Sequence, residues 1–420
     1  MSESQGSKRS LQGLDWLNFF VADVQTGFGP FIAIYLTTQR WTDIAIGSVL
    51  SLGTLVAMAS QLPAGALVDW MPSKRLAAAL AIGAITASAL LFVLMPTHFG
   101  VGLAEVMHGF ASCMLNPAIA AVTIAMVSSA ALGERLGRNA RYASLGNGVA
   151  AAVMGGCGYY FAPGSVFWLT ALLGAPSLFA LSRIESRRVV RARIEVARPH
   201  RSTFADLRVL FLDRRLLAFM ACIVMFQMAD AAMLPFVGSE LAAKAGNIAN
   251  LVIAACIVAP QMVVALISPW VGRAAQRYGR RVVLLLGFGA EPIRGALFGL
   301  ISAPVPVVLI QTLDGISAAV IGVLLPLIAA DIARERGHFN LIMGAIGLAV
   351  GLGATVSTAA AGAISSRIGD HAAFFALAAA GLIATILVWF LMPETEPETE
   401  PDQPDVIPPS APLANDSATR

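Results

Sequence analysis

Charge is scarce in this sequence. Only 13% of its 420 residues are Asp, Glu, Lys or Arg, against about a quarter in a soluble globular domain, so a water-solvated fold is excluded. Cysteine is scarce too: Cys113, Cys157, Cys222 and Cys256 each stand alone inside an apolar run, without the paired spacing of a zinc cage or a disulfide framework. There is no P-loop, no HExxH and no GxSxG elbow, so no enzymatic activity, metal or cofactor is expected. What is abundant is apolar: 57% of the chain is hydrophobic and the mean hydropathy is +0.75. The runs are long rather than alternating, which excludes a β-barrel and leaves an all-α integral membrane protein. The 38 glycines and 8% aromatics suit closely packed transmembrane helices.

A hydrocarbon layer roughly 30 Å thick takes about 20 residues of helix to cross, with every backbone amide paired inside the segment. Twelve segments meet that requirement: 14–36, 44–68, 76–95, 99–127, 140–160 and 165–181, then 216–237, 248–271, 282–301, 305–330, 341–363 and 372–391. Span 1 carries Asp15, Asn18, Asp23 and Gln25 and lacks a small-residue cleavage site, so a removable signal peptide is not expected. Of the 28 Lys and Arg, three (Arg40, Lys244 and Arg367) fall on one side of these spans and Arg294 falls within one; the rest crowd the other side. That bias predicts both termini in the cytoplasm of a multi-pass protein of the cytoplasmic (inner) membrane. It also explains the net charge of +3 without nucleic acid as a partner.

The predicted organisation is a cytoplasmic N-terminus (1–13), a first six-helix bundle (14–181), a basic linker (182–215), a second six-helix bundle (216–391) and a disordered acidic tail (392–420). In the linker, Phe204, Leu207 and Phe211 recur at helical spacing beside Arg201, Arg208, Arg214 and Arg215, suggesting a helix lying on the inner leaflet; the plainer alternative is a solvated topogenic loop. The chain is expected to work as a monomer whose partners are the lipid bilayer, a small-molecule substrate and protons.

The two halves repeat. Asp23 maps onto Asp230 and Gly65 onto Gly272 with one offset of 207, and Pro30-Phe31 and Pro235-Phe236 follow the two aspartates. Glu105 and His108 map onto Gln311 and Asp314 with an offset one shorter. Two bundles related by an axis along the membrane normal place a binding site between them, near the midplane. The loops after spans 2 and 8 read GALVDWMPSKR (Gly65, Asp69, Lys74, Arg75) and GRAAQRYGRR (Gly272, Arg277, Gly279, Arg280, Arg281). Together with twelve spans and the repeat, these loops resemble the signature of the major facilitator superfamily over residues 11–392. Pro72-Ser73 replaces a glycine of that signature, Gln276 stands where the second loop would carry an acid, and Glu105 stands where many members carry a buried arginine. The resemblance implies transport by alternating access. The glycine-rich span 5, with its proline (Pro163) only at the far end, is a partial match to proton-coupled exporters.

Physically, Gly65 lets span 2 approach a neighbour closely, and Asp69 can accept bonds from a helix N-terminus and so latch the two bundles. The alternative is that Asp69 only caps the next helix and Lys74 and Arg75 only set topology. Within the bilayer stand Asp23, Glu105, His108, Asp230, Glu291, Arg294 and Asp314. Each costs at least about 2.5 kcal/mol there unless it faces a cavity or a partner. At 100° per residue, Glu105, His108, Ser112 and Asn116 fall within about 80°, a polar stripe expected to line the cavity, with Glu105 and His108 close enough to pair. Asp23, Glu105, His108, Asp230 and Asp314 are the candidates for proton coupling, each with a structural hydrogen bond as its alternative. Glu291 and Arg294, at i, i+3, read as a structural ion pair. Asn18, Gln25, Ser112, Asn116, Gln227 and Gln311 are the polar groups available to a substrate. Acids outnumber bases in the spans, which favours a cationic or neutral substrate. The predicted function is proton-coupled efflux of a drug-like compound or metabolite; the alternatives are uptake by proton symport and a non-transporting membrane sensor.

Overall fold

The computed structural model describes residues 2–26, 29–161, 164–185, 212–244 and 249–394. Among these there is no strand; the chain is a stack of helices, α1 (Ser2–Thr26), α2 (Gly29–Thr38), α3 (Asp43–Trp70), α4 (Lys74–Leu94), α5 (His98–Ile124), α6 (Ser129–Tyr160) and α7 (Ser165–Ser182) in the first half. The second half has α8 (Arg214–Asp230), α9 (Met233–Lys244), α10 (Ala249–Arg277), α11 (Arg280–Leu300), α12 (Pro304–Arg336), α13 (Phe339–Ile368) and α14 (Asp370–Leu391). Among the described residues, ten spans are long and apolar enough to cross a membrane by length and composition. The expected spans 1 and 5 do not reach that measure among the described residues, because α1 is polar and short of its second half, and α6 carries Glu134, Arg135, Arg138 and Arg141 near its start. The predicted inner-leaflet helix at Phe204, Leu207 and Phe211, and Pro163, lie outside the described residues.

Two expectations about element boundaries are corrected. Span 5 is helical from Ser129, eleven residues before the expected start, because a helix end can carry charge as long as that charge lies outside the apolar layer or finds a partner. Span 7 is two helices rather than one, whereas in span 1 residues 27–28, between α1 and α2, lie outside the described residues. The second piece, α9, carries Pro235 in its first turn, where a proline's missing N–H is not needed; the same residue further inside one long helix would break its ladder. At the break in span 7, the orphan N–H of Ala232 donates to Ser357 Oγ of α13 at 3.1 Å.

The two halves form separate apolar cores. One runs from Leu14 to Ile184 and includes an aromatic knot of Tyr35, Phe92 and Phe167. The others draw on the second half, and the larger recruits Leu132 and Leu136 from α6. That recruitment marks where the bundles interlock. A Cβ added at Gly272 would stand 2.0 Å from the Gly133 carbonyl oxygen, and one at Gly133 would stand 2.5 Å from that of Gly272. One at Gly137 would meet the Ser268 oxygen at 2.3 Å. On the other flank, a Cβ added at Gly65 would meet the Asn340 oxygen and one added at Gly344 the Gln61 oxygen, each at 2.3 Å. These contacts join α6 to α10 and α3 to α13, all at the ends that carry the basic loops, so the structure is closed on its basic face. Small residues serve here because helices in lipid associate through packing rather than through the hydrophobic effect. Gly272→Ala is therefore expected to wedge α10 off α6 at an overpacking cost of about 1–3 kcal/mol. The check is the unfolding midpoint of detergent-purified protein, which should fall relative to Gly83→Ala, whose added Cβ meets nothing within 4 Å.

Candidate functional site

Three carboxylates converge on one guanidinium inside the second bundle. Arg294 of α11 donates from Nη2 to Asp230 Oδ1 of α8 at 2.8 Å, from Nη1 to Glu291 Oε1 at 3.2 Å, and from Nη1 again to Asp314 Oδ1 of α12. Its Nε points at Met233 Sδ, 3.2 Å away, across the break in span 7. Arg294 and Glu291 are completely enclosed; the Asp230 and Asp314 side chains keep 26% and 25% exposure. One oxygen of each acid lies within 4.8 Å of the other two, so the three could geometrically share a cation, and the cation they share is Arg294. The expected isolated pair of Glu291 and Arg294 is thus the enclosed half of a larger cluster. Sequence spacing showed the i, i+3 pair, but Asp230 and Asp314 come from other helices and no local pattern links them. Gln311, one turn before Asp314, completes the site by donating from Nε2 to Asp314 Oδ2 at 3.3 Å.

The first bundle has a different arrangement at the repeat-related place. Glu105 of α5 is 6% exposed, and the expected pair with His108 does not form. The carboxyl turns towards α3, where its Oε2 occupies the space a Cβ of Gly53 would fill, 2.0 Å from that point, and its Oε1 has no hydrogen-bond partner. The reason is helical direction: side chains lean over the preceding turn, and the notch at Gly53 takes the carboxyl away from the imidazole. His108 Nε2 instead lies 3.4 Å from Ser112 Oγ. The expected stripe grades from buried Glu105 through half-buried His108 and Ser112 to exposed Asn116. Asn18 bonds its own helix at the Leu14 oxygen, 2.7 Å away, and Gln227 is half-buried on α8. Asp23 and Gln25 belong to α1, but their side chains lie outside the described ones.

On the basic face, the Asp69 carboxylate sits at the N-terminus of α13. Oδ1 accepts from Asn340 Nδ2 at 2.6 Å and from the Asn340 N–H at 3.2 Å, and Oδ2 accepts from the Leu341 N–H at 2.9 Å. An anion there satisfies orphan donors and meets the positive end of the helix dipole. Lys74, the first residue of α4, closes the end of the preceding helix α3, donating to the carbonyls of Val68, Asp69 and Met71. The pseudo-equivalent position works with the opposite polarity: Gln276 donates from Nε2 to the Ser129 and Ala130 carbonyls of α6, at 3.1 and 2.5 Å. Arg280 is buried against Asp331 at 3.0 Å, and Arg277 lies over the Tyr278 ring. Gly279 has φ +87°, a conformation glycine adopts without strain, and the α11 N-terminus after it is capped by Glu394: the N–H groups of Arg280 and Arg281 donate to its carboxylate at 2.8 and 3.2 Å. Glu394 falls in the segment expected to be disordered; the tail from residue 395 onward lies outside the described residues.

One network was missed. Asp15 of α1, 2% exposed, accepts from Arg135 at 2.7 Å and Arg138 at 2.6 Å, and Arg135 continues to Asn139 and on to Thr123. The signal was present in the i, i+3, i+4 spacing of Arg135, Arg138 and Asn139, which puts three polar groups on one face of a helix. Of all these charges, Arg294 is held most tightly. Arg294→Met would leave the enclosed Glu291 and the partly exposed Asp230 and Asp314 without their cation, a loss of about 3–5 kcal/mol, read as a lower unfolding midpoint in detergent; Arg294→Lys should recover part of it.

The profile of the Major Facilitator Superfamily matches residues 15–259 and 228–415. The chain is 36% identical over 398 residues to an uncharacterized MFS-type transporter of Mycobacterium tuberculosis, matched in two strains, with 92% of this chain and 94% of the relative covered. Among solved structures it superposes on the proton:xylose symporter XylE with a TM-score of 0.68 at 13% identity, covering 93% of this chain and 96% of that one. It superposes on the human organic anion transporter TETRAN with a TM-score of 0.66 at 15% identity, covering 91% and 99%. At such identities these two likenesses speak for the fold alone. Twelve predicted spans in two repeated bundles, an interlock built from glycine and a capping aspartate, and these matches lead to one conclusion: the chain belongs to the major facilitator superfamily, whose members carry small molecules across membranes as secondary transporters.

Proposed function

We propose that this transporter exports a small organic molecule from the cytoplasm in exchange for protons, in the cytoplasmic membrane of a bacterium, with both termini inside. The observation that carries the reading is the excess of carboxylates over bases in the interior of the predicted spans: four acids with described side chains, Glu105, Asp230, Glu291 and Asp314, stand there against Arg294 alone, while Asp15, at the edge of span 1, is already paired with Arg135 and Arg138. An unpaired carboxylate in a low-dielectric interior is too costly to keep its charge, so some of these groups must hold protons while enclosed and can shed them when the bundles rock and water reaches them. Glu105, wedged against Gly53 with an unpartnered oxygen, is the proton carrier of the first bundle, and the Arg294 cluster serves the second. The closed basic face, read as cytoplasmic from the charge bias, makes the described state the one that faces outward. Asp69 at the start of α13 and Gln276 at the start of α6 are the bonds that must open before the site faces inward.

Two experiments follow. In proteoliposomes with an imposed pH gradient, transport identified by counterflow from a compound panel should depend on the gradient, and Glu105→Gln should keep counterflow while losing that dependence. Unchanged gradient dependence would remove Glu105 from the coupling, and accumulation in the sense opposite to that of export would replace antiport by uptake symport. For the latch, Asp69→Ala removes a helix cap worth about 1–2 kcal/mol. Spin-label distances between Trp70 and Arg334 on the basic face should then gain a longer population, and an unaltered distribution would deny Asp69 that role.

A further inference from the structure

The Arg294 cluster has a donor deficit. Of its donors, Arg294 spends Nη1 and Nη2 on the three acids and turns Nε to Met233 Sδ, and Gln311 spends Nε2 on Asp314. Two acceptors remain without a hydrogen-bond partner, Glu291 Oε2 and Gln311 Oε1, on residues that are 0% and 1% exposed. A buried acceptor left unmatched is costly, so the site is built for something that brings N–H or O–H groups. Charge points the same way, since three carboxylates face one guanidinium. The surplus lies on the accessible side: Glu291 and Arg294 form a neutral enclosed pair, whereas Asp230 and Asp314 retain a quarter of their exposure. Charged side chains do not face lipid, so that exposure is to the space between the helices.

Among the described residues no other charged group intrudes. Packed around the cluster, α13 offers Ser357, bonded to the Ala232 N–H, and the Asp370 and His371 of α14 stand at the far start of that helix, where His371 bonds the Gly299 carbonyl.

We infer that Asp230, Asp314, Glu291 and Gln311 form a receptor for the protonated primary or secondary amine of the transported molecule, with Arg294 drawing back onto Glu291 as the amine enters. A cationic amine supplies both missing quantities, a positive charge and two or three N–H donors to the free acceptors. Proton balance follows: with Asp314 protonated in the empty site, entry of one ammonium group releases that carboxyl proton to water, and the net charge of the site, one negative, is conserved. The inference rests on the proton-exchange reading above and adds to it a substrate class and a location.

The test is equilibrium binding to the full chain in detergent, without a gradient, by titration calorimetry in two buffers of different ionisation heat. The probes are phenethylammonium, its N,N,N-trimethyl analogue, 2-phenylethanol and 3-phenylpropionate, which share one body and differ in the head group. Phenethylammonium should bind at least about tenfold more tightly than the others and release about one proton. Asp314→Asn and Asp230→Asn should each weaken it at least about tenfold; Gln311→Leu, which removes an acceptor without touching charge, should weaken it severalfold and covers the case in which an aspartate variant fails to fold. Equal binding of the trimethyl compound overturns the N–H receptor. Equal binding of the alcohol or the carboxylate, or no binding by any probe, overturns the cationic class, and full affinity in a folded Gln311→Leu or aspartate variant overturns the location. Gradient-driven transport of other compounds would survive any of these results, so loss of the inference is separable from loss of the exchange reading.

Discussion

A charge shut away from water must find its counter-charge within the protein, and the rest of this structure is arranged around that demand. Arg294 meets it with acids from three helices, which ties α8, α11 and α12 together at mid-span. Asp15 meets it with two arginines of α6 and thereby fixes α1 to the start of that helix. Arg280 meets it with Asp331. Each tie replaces hydration that burial withholds, and breaking any one of them strands an ion rather than merely removing an attraction. Glu105 is the exception. It has a notch instead of a partner, which is why it carries so much of the functional argument.

The cluster also sits at a mechanical weak point. Arg294 bonds both the Asp230 carbonyl, at 3.4 Å, and the Asp230 carboxylate, and its Nε faces Met233 beyond the break, so one side chain bridges the two pieces of span 7. Whatever changes the charge on Asp230 changes the hold on that joint. The interlock on the basic face is built differently, from backbone approaches at glycine and from helix caps, contacts that are short-ranged and vanish together once the helices separate by a few ångströms. A rigid ionic centre and a brittle interlock suit a molecule that has to alternate between two packed states.

Much of this was legible in the sequence. Span number, pseudo-repeat and the special status of Asp69 followed from composition, offset and loop pattern, because the bilayer imposes length and polarity rules that act locally along the chain. The misses were all tertiary. Glu105 and His108 share a helical face, yet the carboxyl follows the space at Gly53, a residue on another helix that no spacing rule connects to it. The gathering of Asp230, Asp314 and Gln311 around Arg294 depends on the rotation of three helices about their axes, which the sequence does not state. The reach of α6 to Ser129 was hidden because Arg135 and Arg138 read as topogenic loop charges until Asp15 is seen between them.

Glu394 has a practical consequence. It lies three residues beyond the last helix, in what looks like the start of a dispensable tail, yet its carboxylate supplies the cap that Gly279 cannot offer to α11, the helix that presents Arg294. A chain trimmed at Leu391 for crystallisation, or one whose affinity tag is fused there, would loosen the foot of that helix and pass the disturbance up its length. Shortened or tagged versions should keep Pro393 and Glu394 and begin their alterations after them.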